Sequence, residues 1–443
     1  MYRQRACEWC TPRFTIFVTD VDLRDTAAQS ITRVPEALEW DRFLRHVVRV
    51  KHFTLSNYKG LLQNVQIIYM RLPRERPIFH NLCSLHLESG IDMMINAIYL
   101  PLLLGPKVKD VKVLPGNNFT KTSLILGQLA VHCRSLESIE APNFGSEMSH
   151  LLAHNHFKHL KAIRCTDRAG ATYWEVVRFA QIFHITTLRT LSCSVYTNPI
   201  SKCDLESMGS FPALETLDLF DVWWLEGVPS ILRTIKSSHL RDISIVCRSD
   251  FPSASTIDQT LESTSQFKNL QRLVIDWRAY SCRLDGTFMI HHLFRLPLLE
   301  DVNIRASAIP WTNQAIIDIG KSWPNLKFLT VLCNEDATIK SPPTLKLEAL
   351  SYVAIHLPKL QTFRTKLDAA TLPSATTPPA SSTHPIQLTL NHSVITKGSF
   401  GPISAYISHV YPNAEVQFSR PTYMEDIEEH NAAWDRVMAE LHQ

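Results

Sequence analysis

The sequence predicts an α/β solenoid, with short parallel strands stacked along the inside of an arc and helices packed outside them. Three observations predict it. An apolar triplet of the form L-x-x-L-x-L returns along most of the chain, its copies lie about 28 residues apart, and between copies the apolar period changes from two to about 3.6.

The triplets begin with Val50, Phe53, Leu55, then Leu82, Leu85, Leu87, then Val108, Val111, Val113, then Leu136, Ile139, Ala141. They continue through Leu160, Ile163, Cys165, then Leu188, Leu191, Cys193, then Leu214, Leu217, Leu219, then Leu240, Ile243, Ile245. Leu270, Leu273, Ile275 follow, then Leu299, Val302, Ile304 and Leu326, Leu329, Val331. A twelfth copy, Leu360, Phe363, Thr365, ends polar, and degenerate copies surround Leu388 with Leu390 and Val416 with Phe418. This spacing falls at the upper end of the leucine-rich-repeat range. The last two positions of each triplet alternate, so a short strand points both inward, while the first position packs the approach to it.

Helical periodicity fills the intervals. Tyr173, Val176, Val177, Ala180 and Phe183 share one helical face, as do Ile403, Tyr406, Ile407 and Val410. Pro212, Pro297, Pro324 and Pro358 each stand two residues before a first position, where they end the helix and turn the chain into the next strand. Each coil is therefore expected to be a strand followed by a helix. Neither element buries its apolar face alone, so the coils must stack. One leucine-rich-repeat solenoid over residues 39–420 is expected, in place of the two or three domains that 443 residues would otherwise suggest.

The ends and one interruption read differently. Residues 1–38 form a separate N-terminal segment, in which Phe14, Ile16 and Val18 alternate with Thr15, Phe17 and Thr19 in the manner of a strand. Residues 421–443 are expected to cap the array, because Ile427, Trp434, Val437, Met438 and Leu441 form a helical stripe behind acidic Glu425, Asp426, Glu428 and Glu429. Asp368–Pro385, rich in Ala, Thr, Ser and Pro, reads as a mobile loop between two late repeats.

Composition excludes several functions. Lys and Arg number 45 against 42 Asp and Glu, a formal charge of +3, too small to hold a phosphate polymer or an acidic membrane surface. The longest apolar stretch, Met93–Leu104, is interrupted by Asn96 and Pro101 and is too short to span a bilayer, so it reads as a buried helix. Several of the ten cysteines alternate with Leu and Val like small buried hydrophobes, as in a reduced cytoplasmic or nuclear protein.

Chemistry finds no home in the motifs. Phosphate loops, dinucleotide fingerprints, nucleophile elbows and zinc-protease helices are absent, and glycines number only 13. Cys7 and Cys10 have ligand spacing but no second pair, and His150, His154, His156 and His159 lack carboxylate or Cys partners, so both read as uncommitted surface. The tract Arg42, Arg45, Arg49, Lys51 reads as the solvated face of a helix. No catalytic, cofactor-binding or metal-binding residue is assigned, and a non-enzymatic protein is expected.

Solenoids bind on the concave strand face, where the variable triplet positions form parallel columns. In the seventh to tenth copies the columns give Asp218 and Phe220, Asp242, Arg272, Asp276 and Trp277, then Asp301, Asn303 and Arg305. Trp223 and Trp224 lie on the adjoining loop. Mixed charge with aromatics suits a protein partner, and Trp277 and Arg305 are the expected anchors, since interface hot spots favour Trp, Tyr and Arg.

The whole pattern resembles the fungal F-box and leucine-rich-repeat proteins, particularly the large set in mushroom-forming fungi, over roughly Ser30–Phe418. Beyond the repeats it rests on the lead-in segment Glu39-Trp-Asp-Arg-Phe-Leu-Arg-His-Val-Val-Arg-Val-Lys-His-Phe53, most specifically on Trp-Asp-Arg-Phe at 40–43. The resemblance implies that the repeats hold a protein to be ubiquitinated while an F-box docks on a Skp-family linker of a cullin-RING ligase. Residues 1–29 carry no Leu-Pro start with amphipathic helices, so the resemblance makes residues 1–38 an F-box remnant or a leader, and the F-box is expected to be lost or missing, with a Skp-family linker engaged only where one is present. The expected function is a monomeric substrate-recognition subunit of an SCF-type ubiquitin ligase. The alternative is a ubiquitin-independent scaffold or adaptor. Neither nucleic acid nor membrane is an expected partner.

Overall fold

The computed structural model describes residues 44–55, 77–87, 100–114, 120–142, 157–166, 186–195, 211–223, 225–248, 253–277, 290–306, 311–332, 345–371, 373, 381–391, 393–395, 398–419 and 427–441. The chain divides into two compact units, Met1–Ser194 and Val195–Gln443. The N-terminal segment, the Trp-Asp-Arg-Phe motif, Cys7 with Cys10, His150 to His156 and the helical face Tyr173–Phe183 all lie outside the described residues.

In the first unit a strand follows nearly every triplet's first position. The strands are β1 (His52–Leu55), β2 (Ser84–Leu87), β3 (Asp110–Val113), β4 (Ser138–Ala141), β5 (Ala162–Cys165) and β6 (Thr190–Val195). Each pairs in parallel with the next, and homologous triplet positions stand opposite one another, as Leu85 does Val111 and Ile139 does Ile163. The longest helix described here is α1 (Thr120–His132), and residues 44–47 and 100–103 are also helical.

The second unit repeats the arrangement with longer strands. These are β7 (Thr216–Val222), β8 (Asp242–Cys247), β9 (Arg272–Trp277), β10 (Asp301–Ala306), β11 (Phe328–Leu332) and β12 (Thr362–Thr365). A short β13 (Asp368–Ala369) leaves this sheet, β14 (Ile386–Asn391) rejoins it beside β12, β15 (Val394–Ile395) pairs with β13, and β16 (Ala414–Ser419) follows β14. All described pairs are parallel, which requires a crossover after every strand. The chain is an α/β leucine-rich-repeat solenoid.

The alternation of the triplets sets the burial. Leu85, Val111, Ile139, Ile163, Leu191, Leu217, Ile243, Leu273, Val302, Leu329, Phe363 and Leu388 are all fully buried, and their strand neighbours face the other way. Phe53 is only half-buried at the start of the array. Coils are joined by a repeated staple. The carbonyl just before most of the described strands accepts two N–H groups from the next coil, as Lys109 O does from Glu137 and Ser138, and Gln271 O from Glu300 and Asp301.

A second recurring position escaped the triplet reading. The residue three before each first position is buried: Val47, Phe79, Cys133, Phe157, Phe211, Phe267, Leu296, Trp323 and Leu357. Its carbonyl accepts the N–H of the triplet's first residue at 3.0 to 3.5 Å, closing a tight turn. Pro212, Pro297, Pro324 and Pro358 occupy the second place of that turn, where a fixed φ near −65° is already correct. Side chains stitch the turns together as well. Asn81 Nδ2 donates to Val48 O, Asn269 Nδ2 to Ser238 O and Thr187 Oγ1 to Leu160 O.

Helices back the second unit's strands: α2 (Val228–Thr234), α3 (Ala254–Thr264), α4 (Asn313–Ser322), α5 (Ala349–His356) and α6 (Phe400–Val410). Ser253 and Thr312 cap α3 and α4 by accepting the N–H groups of Thr256 and Ala315. As the spacing predicts, Ile403, Ile407 and Val410 of α6 are buried. Among the described residues between β9 and β10, Ile290–Arg295 form a tighter 3-10 helix. Trp323 Nε1, at the end of α4, reaches Leu293 O across that connection.

The expected mobile loop is partly ordered. Asp368–Ala369 forms β13, and at the far end Ser382 N donates to Val410 O while Asn413 Nδ2 donates to Thr383 O. Residues 374–380 lie outside the described residues. After β16 comes α7 (Ile427–Leu441), whose Trp434 is buried, stacks on Phe418 at 5.1 Å and donates Nε1 to Ser393 O. Ser404 Oγ of α6 donates to Glu440 of α7 at 2.7 Å. Of the stretch Met93–Leu104, Leu100, Leu102, Leu103 and Leu104 are buried, in and just after a short helical turn.

Candidate functional site

Outward strand positions lie an even number of residues beyond the triplet's first position, because side chains alternate along a strand. Strands β1 to β5 have four residues each and carry two such positions, whereas β8 to β10 have six and carry three, of which Asp276 is buried. In the second unit the longest run of adjacent long strands is β7 to β11.

At its strand-start edge, Arg272 stands between two carboxylates. Its Nη1 lies 3.2 Å from Asp242 Oδ2 and its Nε 3.2 Å from Asp301 Oδ2, and the three residues are register partners across β8, β9 and β10. Burial works against the guanidinium's charge, but Asp242 and Asp301 outweigh it and raise the Arg272 pKa. Burial likewise pushes the Asp301 carboxyl up, only partly offset by Arg272. One cation thus serves two partly desolvated anions. The next column holds Asp218, Ser244, Val274 and Asn303, all half-buried.

At the strand-end edge, Arg305 Nη1 lies 4.0 Å from Asp276 Oδ2, and Asp276 itself is buried. Asn303 Oδ1 and Arg305 Nε are enclosed without a hydrogen-bond partner. Phe220 is half-buried in an irregularity of β7, and beside it Asp221 adopts φ 54°, buried, with Arg248 Nε 2.6 Å from its Oδ1. That contact is short but off the hydrogen-bond axis, so it is a charge contact rather than a formed hydrogen bond.

Trp277 corrects the expectation most sharply. It lies seven residues beyond Leu270, an odd number, so it points inward and is only 2% exposed. It cannot anchor a partner on the outward face. Sequence reasoning instead missed Phe328, two residues beyond Leu326, which is 41% exposed on β11 and is the register partner of Asp301. Strict counting of parity from each first position would have found it. Trp223 is 45% exposed just beyond β7, and Trp224 lies outside the described residues.

The first unit's strand edge is a ladder of ion pairs. Glu137 accepts from Lys109 at 2.9 Å and Lys161 at 2.7 Å, and Lys112 meets Glu140 at 2.6 Å. Hydrogen bonds from Lys161 and Lys109 hold the Glu137 carboxyl down at about 2. Arg45, Arg49 and Lys51 are exposed. Among the described residues no three His, Cys, Asp or Glu side chains are grouped to hold a metal ion, and no helix is long and apolar enough to cross a membrane.

The sequence matches no protein-family profile and no curated protein. Similar solved structures include the Rad7 and Elc1 complex of yeast, at 13% identity and a TM-score of 0.38 over 77% of this chain and 76% of that one. A leucine-rich-repeat protein of Leptospira interrogans is similar at 13% identity and 0.38 over 85% and 98%, and the leucine-rich-repeat protein LegL7 of Legionella pneumophila at 14% and 0.33 over 88% and 97%. At such values the likeness adds nothing to what the strand ladder itself establishes.

Proposed function

We propose that this chain is a non-enzymatic protein-interaction module whose outward strand face, β7 to β11, holds a polypeptide partner. The observation that carries the reading is the juxtaposition of the Asp242, Arg272, Asp301 triad with exposed Phe328 on neighbouring strands. Fixed charges give register and specificity, and an exposed aromatic supplies the apolar contact area that dominates interface energy.

The lead-in segment and repeats resemble fungal F-box proteins, which supports a finer reading. The chain would then be the substrate-recognition subunit of an SCF-type cullin-RING ubiquitin ligase, monomeric, acting in the cytoplasm or nucleus. Crosslinking and affinity recovery from the native host test both levels. Recovery of a Skp-family linker with a cullin supports the ligase reading. Recovery of a specific protein that is lost in Phe328→Ala, without any linker, favours the ubiquitin-independent scaffold, because the strand face needs no ligase to bind. A bound protein unaffected by substitutions on β7 to β11 would overturn the assignment of the face.

A further inference from the structure

We propose that the occupant of the β7 to β11 face is an extended segment carrying a Lys or Arg next to an apolar side chain, the cation resting between Asp301 and Phe328. The inference rests on the reading of this face as a polypeptide site and adds the chemistry of the partner.

Charge complementarity carries it. On the outward positions of these strands Asp218, Asp242 and Asp301 are partly exposed beside Arg272 and Arg305, while Asp276 is buried against Arg305. The surface is acidic although the whole chain is slightly basic at +3. Arg272 satisfies Asp242 and Asp301 with one charge between them, which leaves an anionic surplus at the strand-start edge. A second cation supplied by a partner would neutralise that surplus where charges are only partly solvated and pair more strongly than in water.

Phe328 fixes what lies beside the cation. As the register partner of Asp301 it sits one strand away, about 4.8 Å in the pairing direction, so one long basic side chain reaches both. Its aliphatic stem and charged head can lie over the ring while the head meets the carboxylate. Val274 and Val246, half-buried on β9 and β8, extend the face with apolar positions for neighbouring side chains. An acidic segment would meet like charge at Asp242, Asp301 and Asp218.

The test is selection of a phage-displayed random dodecapeptide library on the full chain, followed by affinities of the recovered peptides for wild type, Phe328→Ala and the double variant Asp242→Asn with Asp301→Asn. The inference expects enrichment of Lys or Arg beside aromatic or aliphatic residues. It expects at least tenfold weaker binding to the double variant, about fivefold weaker binding to Phe328→Ala, and weakening by salt. Thermal unfolding of each variant is measured first, and Phe328→Ala alone decides if the double variant does not fold. Acidic or uncharged peptides whose binding still depends on Phe328 would overturn the basic-segment inference and leave the face assignment standing. Peptides indifferent to every substitution, or no peptides at all, would sink both.

Discussion

Two glycines in helices make opposite predictions from the same substitution. Gly320 lies in α4 against the end of α5, where a Cβ would come within 2.6 Å of His356 Cβ and also strike the His356 carbonyl oxygen. The obstacle is backbone, so no rotamer change relieves it and α5 must move. Overpacking of this kind costs about 3 kcal/mol at the upper end of its usual range, and the better helix propensity of Ala returns about 1 kcal/mol. Gly320→Ala is therefore expected to destabilise the chain by about 2 kcal/mol on those figures. Gly127 in α1 has nothing within 4 Å of its would-be Cβ, so Gly127→Ala keeps only the propensity gain of about 1 kcal/mol. Urea unfolding followed by far-UV circular dichroism measures both. Hydrogen exchange of α4 and α5 localises the effect, which matters because long repeat arrays need not unfold in one step. A Gly320→Ala chain as stable as wild type would refute the packing of α4 on α5.

The remaining expectations follow from burial and charge. Trp277→Ala should cost about 3–5 kcal/mol as a buried aromatic lost from the core, whereas Trp277→Phe should cost far less, since its indole N–H has no hydrogen-bond partner among the described residues. Phe328→Ala should leave the unfolding midpoint nearly unchanged, and comparison of the three midpoints checks the assignment of faces. Glu137, held near 2 against an ordinary 4.5, contributes stability that is present above about pH 4.5 and lost as pH falls through about 2. The gap in urea midpoint between wild type and Glu137→Gln should close over that window, and a gap independent of pH would contradict the ion-pair ladder. Burial raises the Cys133 thiol to about 12 and also encloses Cys165, Cys193 and Cys247, so iodoacetamide on the folded chain, mapped by mass spectrometry, should modify partly exposed Cys83 and spare those four.

The repeat was legible because its cause is local and periodic. A residue such as Ile139 or Leu273 must be apolar in every coil, and a period survives any single substitution. The turn position three residues upstream was harder to see, since Phe79, Cys133, Leu296 and Trp323 share burial but not chemistry. Ser237 shows why. In the eighth coil a serine takes the place and donates Oγ to Leu214 O at 2.6 Å, so a hydrogen bond replaces packing. The β13 and β15 pair stayed hidden for another reason. Two-residue strands have no period, and the Ala, Thr and Ser composition around them spells loop. On the candidate face, stacking homologous positions put Asp242, Arg272 and Asp301 in the outward columns but did not show Arg272 bridging the two carboxylates, and Trp277 was misplaced by assigning a column without counting parity.

Parity also explains the strained aspartate. In β8, β9 and β10 the seventh residue past the first position points inward, as Cys247, Trp277 and Ala306 do. β7 puts Val222 in that role, opposite Cys247, although it is the eighth residue past Leu214. One residue too many must be absorbed between Leu219, opposite Ile245, and Val222, and Phe220 with Asp221 absorb it against Val246 alone. Asp221 reaches the necessary φ of 54°, a conformation that Asp tolerates better than most side chains. The turn buries its carboxylate, which would be costly without a counter-charge, and Arg248, one residue past the end of β8, supplies one. The irregularity thus keeps Val222 in the core and leaves Trp223 exposed beside the candidate face, so a break in the repeat, rather than the repeat itself, sets that edge of the surface.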